Sequence, residues 1–377
     1  MNTEKKKVVM LLDNAFDPDV RVAKEAQYLF DNNWNVEIVC LDKKNTFKSH
    51  EVDNYNGIKI KRIFCRREKI TKLMNKYKIV NILKPIIYFW WLIKFISQAK
   101  KYLKNEKYEM MHCHDYIMAL IGVIFFKDKI IVFDMHEDYC DKKSKIKNYL
   151  IDKVVKFIQN KAKWIIHVND FQTQKMKEKN KSKLIYLPNY PEEKIYLPIK
   201  KTNSKKVRIN YIGSLRDYES LKTLGEIGKK DSDIQVSFYG WGTCFEILKK
   251  EYQNTEIQVL GKYDGITQSG EIYRNTDILY CSYKPQIENW KNAYPVKLYE
   301  ALVTETPIIV TKDTVAADFV EKFSIGETMQ YESEDSLNKS IRKIIQNYKQ
   351  YTINIQKIKS QYNWENIVTN LEKIYRN

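Results

Sequence analysis

Short apolar runs alternate along the chain with longer segments in which apolar residues recur every three or four positions. Continuous apolar runs of this length are typical of strands that are covered on both faces, as in parallel sheets. The first half of the chain contains such predicted strands at Val8–Leu12, Val36–Leu41, Ile58–Ile63, Met110–Cys113, Lys129–Asp134, Trp164–Val168 and Leu184–Leu187.

Helical patterns lie between these runs; in Val20–Asn32, for example, Val22, Ala26 and Leu29 share one face. The alternation breaks at Leu187–Lys206, where prolines, asparagines and a basic polar run indicate a linker. It then resumes with predicted strands at Val207–Ile212, Ile234–Tyr239, Glu256–Leu260, Asp277–Cys281 and Pro307–Val310, before a final amphipathic helix at Tyr362–Asn377. The pattern therefore predicts an α/β protein with two doubly wound, Rossmann-like parallel-sheet domains. We place them at 1–190 and 206–358, with a linker at 191–205 and a C-terminal helix at 359–377.

Composition and charge agree with a two-domain globular chain and narrow the range of partners. The length of 377 residues is more than one ordinary core holds. Lys and Arg outnumber Asp and Glu 65 to 47, which favours an anionic partner such as nucleic acid, an acidic membrane surface or a phosphorylated ligand. The six cysteines form no CxxC pair and indicate neither a disulfide framework nor a zinc ribbon, so we expect a cytoplasmic protein. The first apolar run is too short for a signal peptide.

One segment, Asn292–Thr311, combines features of a helix N-terminus with a charged pair. Pro295 suits the first turn of a helix, and Lys297 and Glu300 lie three residues apart on one face. Backbone N–H groups at a helix N-terminus suit a diphosphate, and a carboxylate there can bind a diol such as a ribose. Spacing alone does not separate this interpretation from a surface ion pair, and both stay open.

The same segment resembles the retaining nucleotide-sugar glycosyltransferases of family four, which have the two-domain GT-B fold. The resemblance rests on Pro295, Lys297, Glu300, Ala301 and the following Pro307–Val310. The chain departs from the family pattern in two places. Asn292 stands where the family has a first Glu, and Glu305-Thr306 replaces a glycine.

Further segments extend the resemblance over nearly the whole chain in order and spacing. They are "DPDVRVAKEAQYLFDNNWNVEIVCLD", "HCHDYIMALIG", "IIVFDMHED", "INYIGSLRDYESLKTL", "FYGWG", "VLGKYDGI" and "YNWENIVTNLEKIY". The resemblance implies two domains facing across a cleft, with the C-terminal helix returning to the first domain. It also implies donor binding in the second domain and acceptor binding in the first.

The resemblance assigns roles to individual residues of the second domain. Glu300 is expected to bind the ribose hydroxyls, while Lys297 and the backbone amides of Ala293 and Tyr294 hold the diphosphate and sugar. Arg216 and Lys222 are expected to neutralise the leaving diphosphate, and Asn292 brings no charge to the sugar. The loop glycines Gly213 and Gly240 complete the expected donor-side set. For Arg216 and Lys222 a plain surface charge is the alternative, and a lone GxG such as Gly240–Gly242 is weak support.

In the first domain the resemblance places His136 beside the reacting carbon of the donor sugar. The residues expected on the acceptor side are Asp17, Arg21, His114, Asp115 and Glu137. For Asp17 and Arg21, a helix cap followed by a helical arginine is an equal alternative. The catalytic set is thus His136, Arg216, Lys222 and Glu300.

The "HCHD" motif invites a metal hypothesis. Alternation along a strand puts His112 and His114 on one face, but no further ligand follows at metal spacing. We therefore expect no metal and no cofactor apart from the donor substrate.

A basic, aromatic segment runs from Arg66 to Lys107. It holds twelve Lys or Arg residues against two Glu, with Tyr88, Phe89, Trp90, Trp91 and Phe95 in its middle. Its apolar core is shorter than the roughly 20 residues that a bilayer span needs. It suits an anionic membrane interface, and a helix packed on the first domain with a solvated basic face is an equal alternative.

The sequence therefore predicts a glycosyltransferase, cytoplasmic or peripheral at the inner leaflet. It would transfer a hexose or N-acetylhexosamine from a nucleotide diphosphate sugar, UDP-sugar favoured, to a growing glycan, lipid-linked acceptors included. An epimerase of the same fold, a non-catalytic partner subunit, motivated by Asn292, and a basic nucleic-acid-binding protein remain as alternatives. No nucleic-acid-binding motif supports the last, and we expect no nucleic-acid partner.

Overall fold

The computed structural model describes residues 5–17, 19–43, 47, 52–64, 80–137, 139, 144–174 and 176–376, and omits the side chains of 80–85 and 145. The chain forms two compact units. The first consists of residues 1–188 and 370–377, and the second of residues 189–369.

The first unit contains an eight-stranded sheet in the order β3-β4-β2-β1-β5-β6-β7-β8. All neighbours pair in parallel except β3, which runs antiparallel to β4 at the edge. Strand order reverses between β1 and β5, and such switch points create crevices at the carboxyl ends of the strands. The elements are β1 Lys7–Leu12, α1 Val20–Asp31, β2 Asn35–Asp42, β3 Val52–Tyr55, β4 Ile58–Phe64, α2 Val80–Leu103, β5 Met110–His114, α3 Asp115–Phe125, β6 Ile130–Met135, α4 Lys145–Lys161, β7 Trp164–His167, α5 Phe171–Gln174, α6 Glu178–Lys181 and β8 Leu184–Tyr186.

The second unit contains a parallel six-stranded sheet in the order β11-β10-β9-β12-β13-β14. Its switch point lies between β9 and β12. The elements are β9 Val207–Ile212, α7 Tyr218–Lys230, β10 Ile234–Tyr239, α8 Phe245–Glu251, β11 Gln258–Gly261, α9 Ser269–Arg274, β12 Ile278–Cys281, α10 Glu288–Lys291, α11 Val296–Val303, β13 Ile308–Thr311, α12 Val315–Phe323, β14 Gly326–Met329, α13 Glu334–Ile358 and α14 Trp364–Ile367, with 3-10 turns at Glu193–Tyr196 and Lys359–Tyr362.

The predicted doubly wound α/β architecture is confirmed. The apolar runs form central strands because the sheets are covered on both faces, and β1 is buried along its whole length. The sequence pattern did not predict two strands, β3 and β14. β3 is a polar, mostly exposed edge strand, and β14 is a short segment of mixed polarity, so neither presents an apolar run.

The segments that flank the second unit do not form the simple linker and single helix that we expected from the pattern. Residues 189–205 cluster with the second unit, where Tyr196 is buried in its core. Beyond residue 358 the chain forms several short turns, including 3-10 Val368–Leu371 and α15 Glu372–Tyr375. Residues 370–377 cluster with the first unit, where the Asn370 side chain donates to the Tyr186 carbonyl at 2.9 Å.

Helix α2 carries part of the basic, aromatic segment, while its residues 65–79 lie outside the described part of the chain. Phe95 and Ala99 are buried in the core of the first unit, whereas Phe89 and Trp90 are 59% and 63% exposed. Within the described residues, no helix is long and apolar enough to cross a membrane.

The two phenylalanines of α2 give a matched test of how this helix is anchored. We expect Phe95→Ala to lower the free energy of unfolding of the first unit by about 3 kcal/mol or more, because it removes a fully buried ring. Phe89→Ala, on the exposed face of the same helix, should change it by less than about 0.5 kcal/mol. Urea unfolding monitored by circular dichroism measures both, and equal losses would contradict the observed packing.

Candidate active site

The carboxyl edge of the second sheet is built from three glycines with positive φ. Gly213 follows β9 and Gly240 follows β10, with φ of 141° and 136°. Gly261 is the last residue of β11 and has a φ of 74°. The Gly213 amide donates to the Tyr239 carbonyl at 2.8 Å, and the Gly240 amide donates to the Gly261 carbonyl at 2.7 Å. A Cβ at Gly240 would lie 1.8 Å from the Gly213 carbonyl oxygen. The glycines therefore let the loops after β9 and β10 approach each other backbone to backbone.

Lys297 points at this glycine edge from the first turn of α11. Its side chain is 7% exposed, and a Cβ at Gly213 would lie 3.0 Å from Nζ. The ammonium lies 4.0 Å from the ring centroid of Tyr211 and 5.7 Å from that of Tyr283. Among the described residues, no carboxylate oxygen lies within 4 Å of Nζ. Aromatic faces stabilise a cation, but they do not neutralise it, so this buried charge suits an anionic ligand.

Glu300 lies one turn further along α11 and is held by two phenols. The Tyr196 hydroxyl donates to Oε1 at 2.8 Å, and the Tyr273 hydroxyl donates to Oε2 at 2.7 Å. Burial, together with the charge of Glu300, holds the pKa of both phenols well above the usual value, so they stay protonated donors. The carboxylate is thereby fixed in orientation, while each oxygen keeps a lone pair for a further donor. Sequence reasoning missed both tyrosines, because nothing local distinguishes them among the 27 in the chain.

The other predicted donor-side cations lie on the β9–α7 connection. Arg216 is exposed, and its Nε donates to the Ser214 hydroxyl at 2.7 Å. Lys222 is half-buried on α7, with its ammonium 5.9 Å from the centroid of the Tyr218 ring. No described carboxylate forms an ion pair with Arg216 or Lys222. Both charges thus remain available at the carboxyl side of the sheet.

Asn292, Ala293 and Tyr294 form the short connection between α10 and α11. The Asn292 amide donates to the Glu288 carbonyl at 3.0 Å, and the Ala293 amide makes a long contact of 3.4 Å to Trp290. The sequence predicts Pro295 in the first turn of the helix, but in the structure Pro295 is the N-cap of α11. In the described part of the chain, the N-terminus of α11 therefore has no side-chain cap.

The carboxyl edge of the first sheet carries ionisable groups where the second carries glycines. His114 ends β5, Asp134 lies within β6, and His136 follows that strand. His136 Nε2 lies 3.1 Å from Asp134 Oδ2 and 3.1 Å from His114 Nδ1. Asp134 is fully buried, and burial alone would raise the pKa of its carboxyl. Arg21, His136 and His114 outweigh burial and hold this pKa well below the usual range. The sequence analysis passed over Asp134, although a charged residue inside an apolar run was a usable signal.

Arg21 and His114 do not lie where an acceptor could contact them, and we remove both from the acceptor-side set. Arg21 is 5% exposed and lies inside the unit. Its guanidinium donates to Asp134 through Nε at 3.1 Å and Nη2 at 2.8 Å, and to the Leu187 carbonyl through Nη1 at 2.9 Å. His114 is 2% exposed.

Asp17, Asp115 and Glu137 remain accessible at the same edge. Asp17 and Glu137 are exposed, and the side chain of Asp115 is 39% exposed. The residue that caps α1 is Asp19, whose side chain accepts from the Val22 amide, so the capping alternative for Asp17 is wrong. Asp115 has a positive φ of 65°, an uncommon conformation for a non-glycine residue.

Four buried side chains of the first unit have potential metal-ligand atoms within 4.8 Å of one another: Glu25, His112, His114 and Asp134. Sequence spacing did not reveal the two carboxylates, since they lie far from "HCHD" along the chain. Arg21 already occupies this cluster, with Nε 3.1 Å from Glu25 Oε1 and Nη2 2.8 Å from Asp134 Oδ1. His112 Nδ1 pairs with the Tyr375 hydroxyl at 2.8 Å. The guanidinium of Arg21 therefore contributes positive charge to this cluster.

The glycine edge gives a direct structural test. We expect Gly240→Ala to destabilise the second unit by about 2 kcal/mol or more, because the new Cβ meets a backbone oxygen and φ is positive. Gly265→Ala is the matched control, since no atom lies within 4 Å of its added Cβ. Urea unfolding of the two variants measures the difference, and equal stability would contradict the described loop contact.

Most of the second unit is similar to a known protein family. Residues 192–361 match the family model described as glycosyl transferases group 1. A comparison with curated protein sequences finds no match.

Solved structures with the same fold cover nearly the whole chain. A sucrose-phosphate synthase from Thermosynechococcus elongatus has a TM-score of 0.74 at 14% identity, over 98% of each chain. The Anabaena protein HepE in complex with UDP-glucose has a TM-score of 0.69 at 12% identity, over 98% of this chain and 99% of that one. Starch synthase IV from Arabidopsis thaliana, bound to ADP and acarbose, has a TM-score of 0.67 at 14% identity, over 99% of each chain. Residues 192–361 of the second unit are therefore similar to glycosyl transferases group 1, and the chain as a whole has the fold of the GT-B glycosyltransferases.

Proposed function

We propose that this chain is a retaining, metal-independent glycosyltransferase that moves a hexose or N-acetylhexosamine from a nucleotide diphosphate sugar to a growing glycan. The observation that carries the donor class is Lys297, a buried ammonium without a carboxylate partner among the described residues, aimed at the glycine edge. Burying a charge in this way is costly unless a counter-charge arrives. A diphosphate supplies that charge, and exposed backbone N–H groups at a helix N-terminus favour it further.

The proposed reaction uses the cations of the second unit on the leaving group. The bond between the sugar C1 and the diphosphate oxygen breaks, and the acceptor oxygen bonds to C1 on the same face. The acceptor proton passes to the departing diphosphate. Arg216, Lys222 and Lys297 stabilise the negative charge that develops there. His136 takes the place beside the transferred sugar that the family resemblance implies.

Glu300 is proposed to bind the ribose. Its two oxygens are oriented by Tyr196 and Tyr273, and a vicinal diol offers two further donors to the same carboxylate. Asn292 would bind a sugar hydroxyl through its neutral amide. HepE is solved with UDP-glucose and starch synthase IV with ADP, so nucleoside diphosphate donors occur on this fold. Among them we favour a UDP-sugar here.

Asp17, Asp115 and Glu137 form the revised acceptor-side set, because their carboxylates are accessible. Carboxylates of this kind accept hydrogen bonds from sugar hydroxyls. Because Arg21 already pairs with both carboxylates of the buried cluster in the first unit, we propose that the cluster holds no metal ion.

The epimerase and partner-subunit alternatives predict different products from one experiment. An epimerase would convert the donor without an acceptor, and a non-catalytic subunit would turn over no donor. Neither alternative is favoured by a specific contact in the structure. The unpaired cations do not favour duplex DNA either, since Lys297 is buried.

The donor-site prediction concerns Lys297. We expect Lys297→Met to weaken binding of the donor nucleotide by about 10- to 100-fold, which corresponds to one charge-assisted hydrogen bond. Lys322→Met is the matched control, because that lysine lies over an aromatic ring, Phe323, but on the exposed last turn of α12. Calorimetric titration with UDP, GDP, dTDP and CMP and with their sugars identifies the nucleotide in the unaltered protein.

Glu300→Ala should abolish the preference for ribonucleotides over their 2′-deoxy analogues. Absence of binding by every nucleotide would exclude the proposed function.

We further propose that helix α2 places the enzyme at an anionic membrane surface, where a lipid-linked acceptor would be found. Ile86, Phe89, Trp90 and Ile93 are 40 to 63% exposed and recur at the spacing of one helix face. The exposed lysines Lys100, Lys101 and Lys104 continue the same segment. Apolar side chains can enter the interface while lysines contact anionic headgroups.

The membrane prediction is tested with a pair of double variants. Phe89→Ser with Trp90→Ser should lower partitioning onto vesicles that contain phosphatidylglycerol at least about tenfold, because two large apolar side chains leave the interface. Ile247→Ser with Ile266→Ser, which removes two exposed isoleucines from the second unit, should change it little. Cosedimentation measures both variants. Equal partitioning of all proteins would contradict a role for α2.

A further inference from the structure

One buried carboxylate holds the predicted catalytic histidine. Asp134 is fully buried at the carboxyl end of the first sheet. Its Oδ2 lies 3.1 Å from His136 Nε2 and 3.0 Å from His114 Nδ1, and it accepts from Arg21 Nε at 3.1 Å. Oδ1 accepts from Arg21 Nη2 at 2.8 Å. Because every contact is internal, Asp134 itself cannot touch a substrate, and its effect must pass through another group.

The other ring nitrogen of His136 faces a second carboxylate. His136 Nδ1 lies 3.6 Å from Asp115 Oδ2, and the Tyr139 hydroxyl donates to Asp115 Oδ1 at 2.9 Å. A neutral imidazole has only one N–H, whereas the imidazolium has two. A ring that meets a carboxylate at each nitrogen is therefore favoured in its protonated form. The ring is 21% exposed, and in the imidazolium Nδ1–H is the donor that does not face Asp134.

The charges that face His136 from the packed elements balance this cation. Asp134 and Asp115 contribute negative charge, and Arg21 contributes positive charge. Glu25 lies in the same cluster, but burial and Asp134 raise the pKa of its carboxyl, which lowers the negative charge that it contributes near neutral pH. Burial and Arg21 lower the pKa of His136, whereas Asp134 outweighs them and raises it to about 9, with a smaller contribution from Asp115.

We propose that Asp134 is the positioning residue of His136, which it holds in one orientation and as the imidazolium, with Nδ1–H available to the reacting sugar or its leaving group. Arg21 donates to both oxygens of Asp134 and so fixes the carboxylate that orients the ring. The proposal rests on the transferase function proposed above.

The sign of the pH dependence follows from the ordinary histidine pKa of about 6.5. Because the pKa of His136 is raised, we expect the active cation in the unaltered protein to persist up to a pH of about 9 and to be lost above it. Without the Asp134 charge, the cation should be lost at a lower pH, closer to the ordinary value. The falling limb of kcat should therefore move to lower pH in Asp134→Asn, and the variant should regain activity as the pH is lowered toward 6.

The experiment compares Asp134→Asn with Glu25→Gln. We expect Asp134→Asn to lower kcat at pH 7.5 about 100-fold, with a change in the donor KM of less than about threefold, since Asp134 contacts no substrate and acts through His136. Glu25→Gln replaces a neighbour in the same cluster that makes no direct contact with His136. The falling limb of the pH profile of kcat should stay at the same pH in this variant. A loss of kcat in Asp134→Asn that low pH does not restore would reduce Asp134 to a structural role and overturn the proposal.

A measurement on the unaltered protein keeps the proposal testable if the variant fails to fold. The chain has five histidines, so NMR titration of their ring protons is tractable, and His136→Gln assigns the signal. A His136 pKa of about 9 supports the proposal, and a value near 6.5 overturns it. Stoichiometric metal bound to His112 and His114 in the purified protein would overturn it too. If His136 titrates near 9 but no donor is turned over, the positioning geometry stands and the transferase function falls.

Discussion

Parallel strand pairing is the constraint on which both units depend. A parallel sheet must be covered on both faces, so its strands are apolar, and polar chemistry is confined to the ends of the strands. All carboxyl ends meet at one edge, and the crevice at the switch point gathers the loops there. The two units use this edge differently. In the second, Gly213 and Gly240 bring backbone close to backbone. In the first, Asp134 and its histidine neighbours bring charges together.

The two edges also differ in how their charges are balanced. In the first unit the buried carboxylate of Asp134 is met by Arg21 and by imidazoles, so its charge is balanced from within the chain. In the second unit Lys297 is buried against tyrosine rings and lacks an acidic partner among the described residues. A self-balanced cluster fixes geometry, whereas an unbalanced one retains affinity for a ligand of opposite charge. We therefore assign the orientation of catalytic side chains to the edge of the first sheet. We assign the binding of an anionic ligand to the edge of the second sheet.

The sequence predicted the central strands and the placement of Lys297 and Glu300 on one helix, because both follow from local periodicity. It did not predict β3 or β14, whose few polar residues become strands only by pairing with a neighbour. It also placed Arg21 with the acceptor-side residues, although the side chain is buried against Asp134, 113 residues away. Tyr196 and Tyr273 reach Glu300 from 104 and 27 residues away. Contacts of this range depend on the topology of the fold, and a single sequence holds no periodic signal for them.

The order of the chain has a consequence for how the protein is made. The first unit is built from residues 1–188 together with residues 370–377, and Tyr375 pairs with the buried ring of His112 and packs edge-on against Trp34. During synthesis on the ribosome, the whole second unit is therefore made before Tyr375 can pack on the first sheet. During that interval His112 and Trp34 lack their final partner, and the early chain is more exposed to chaperones and proteases than its finished form.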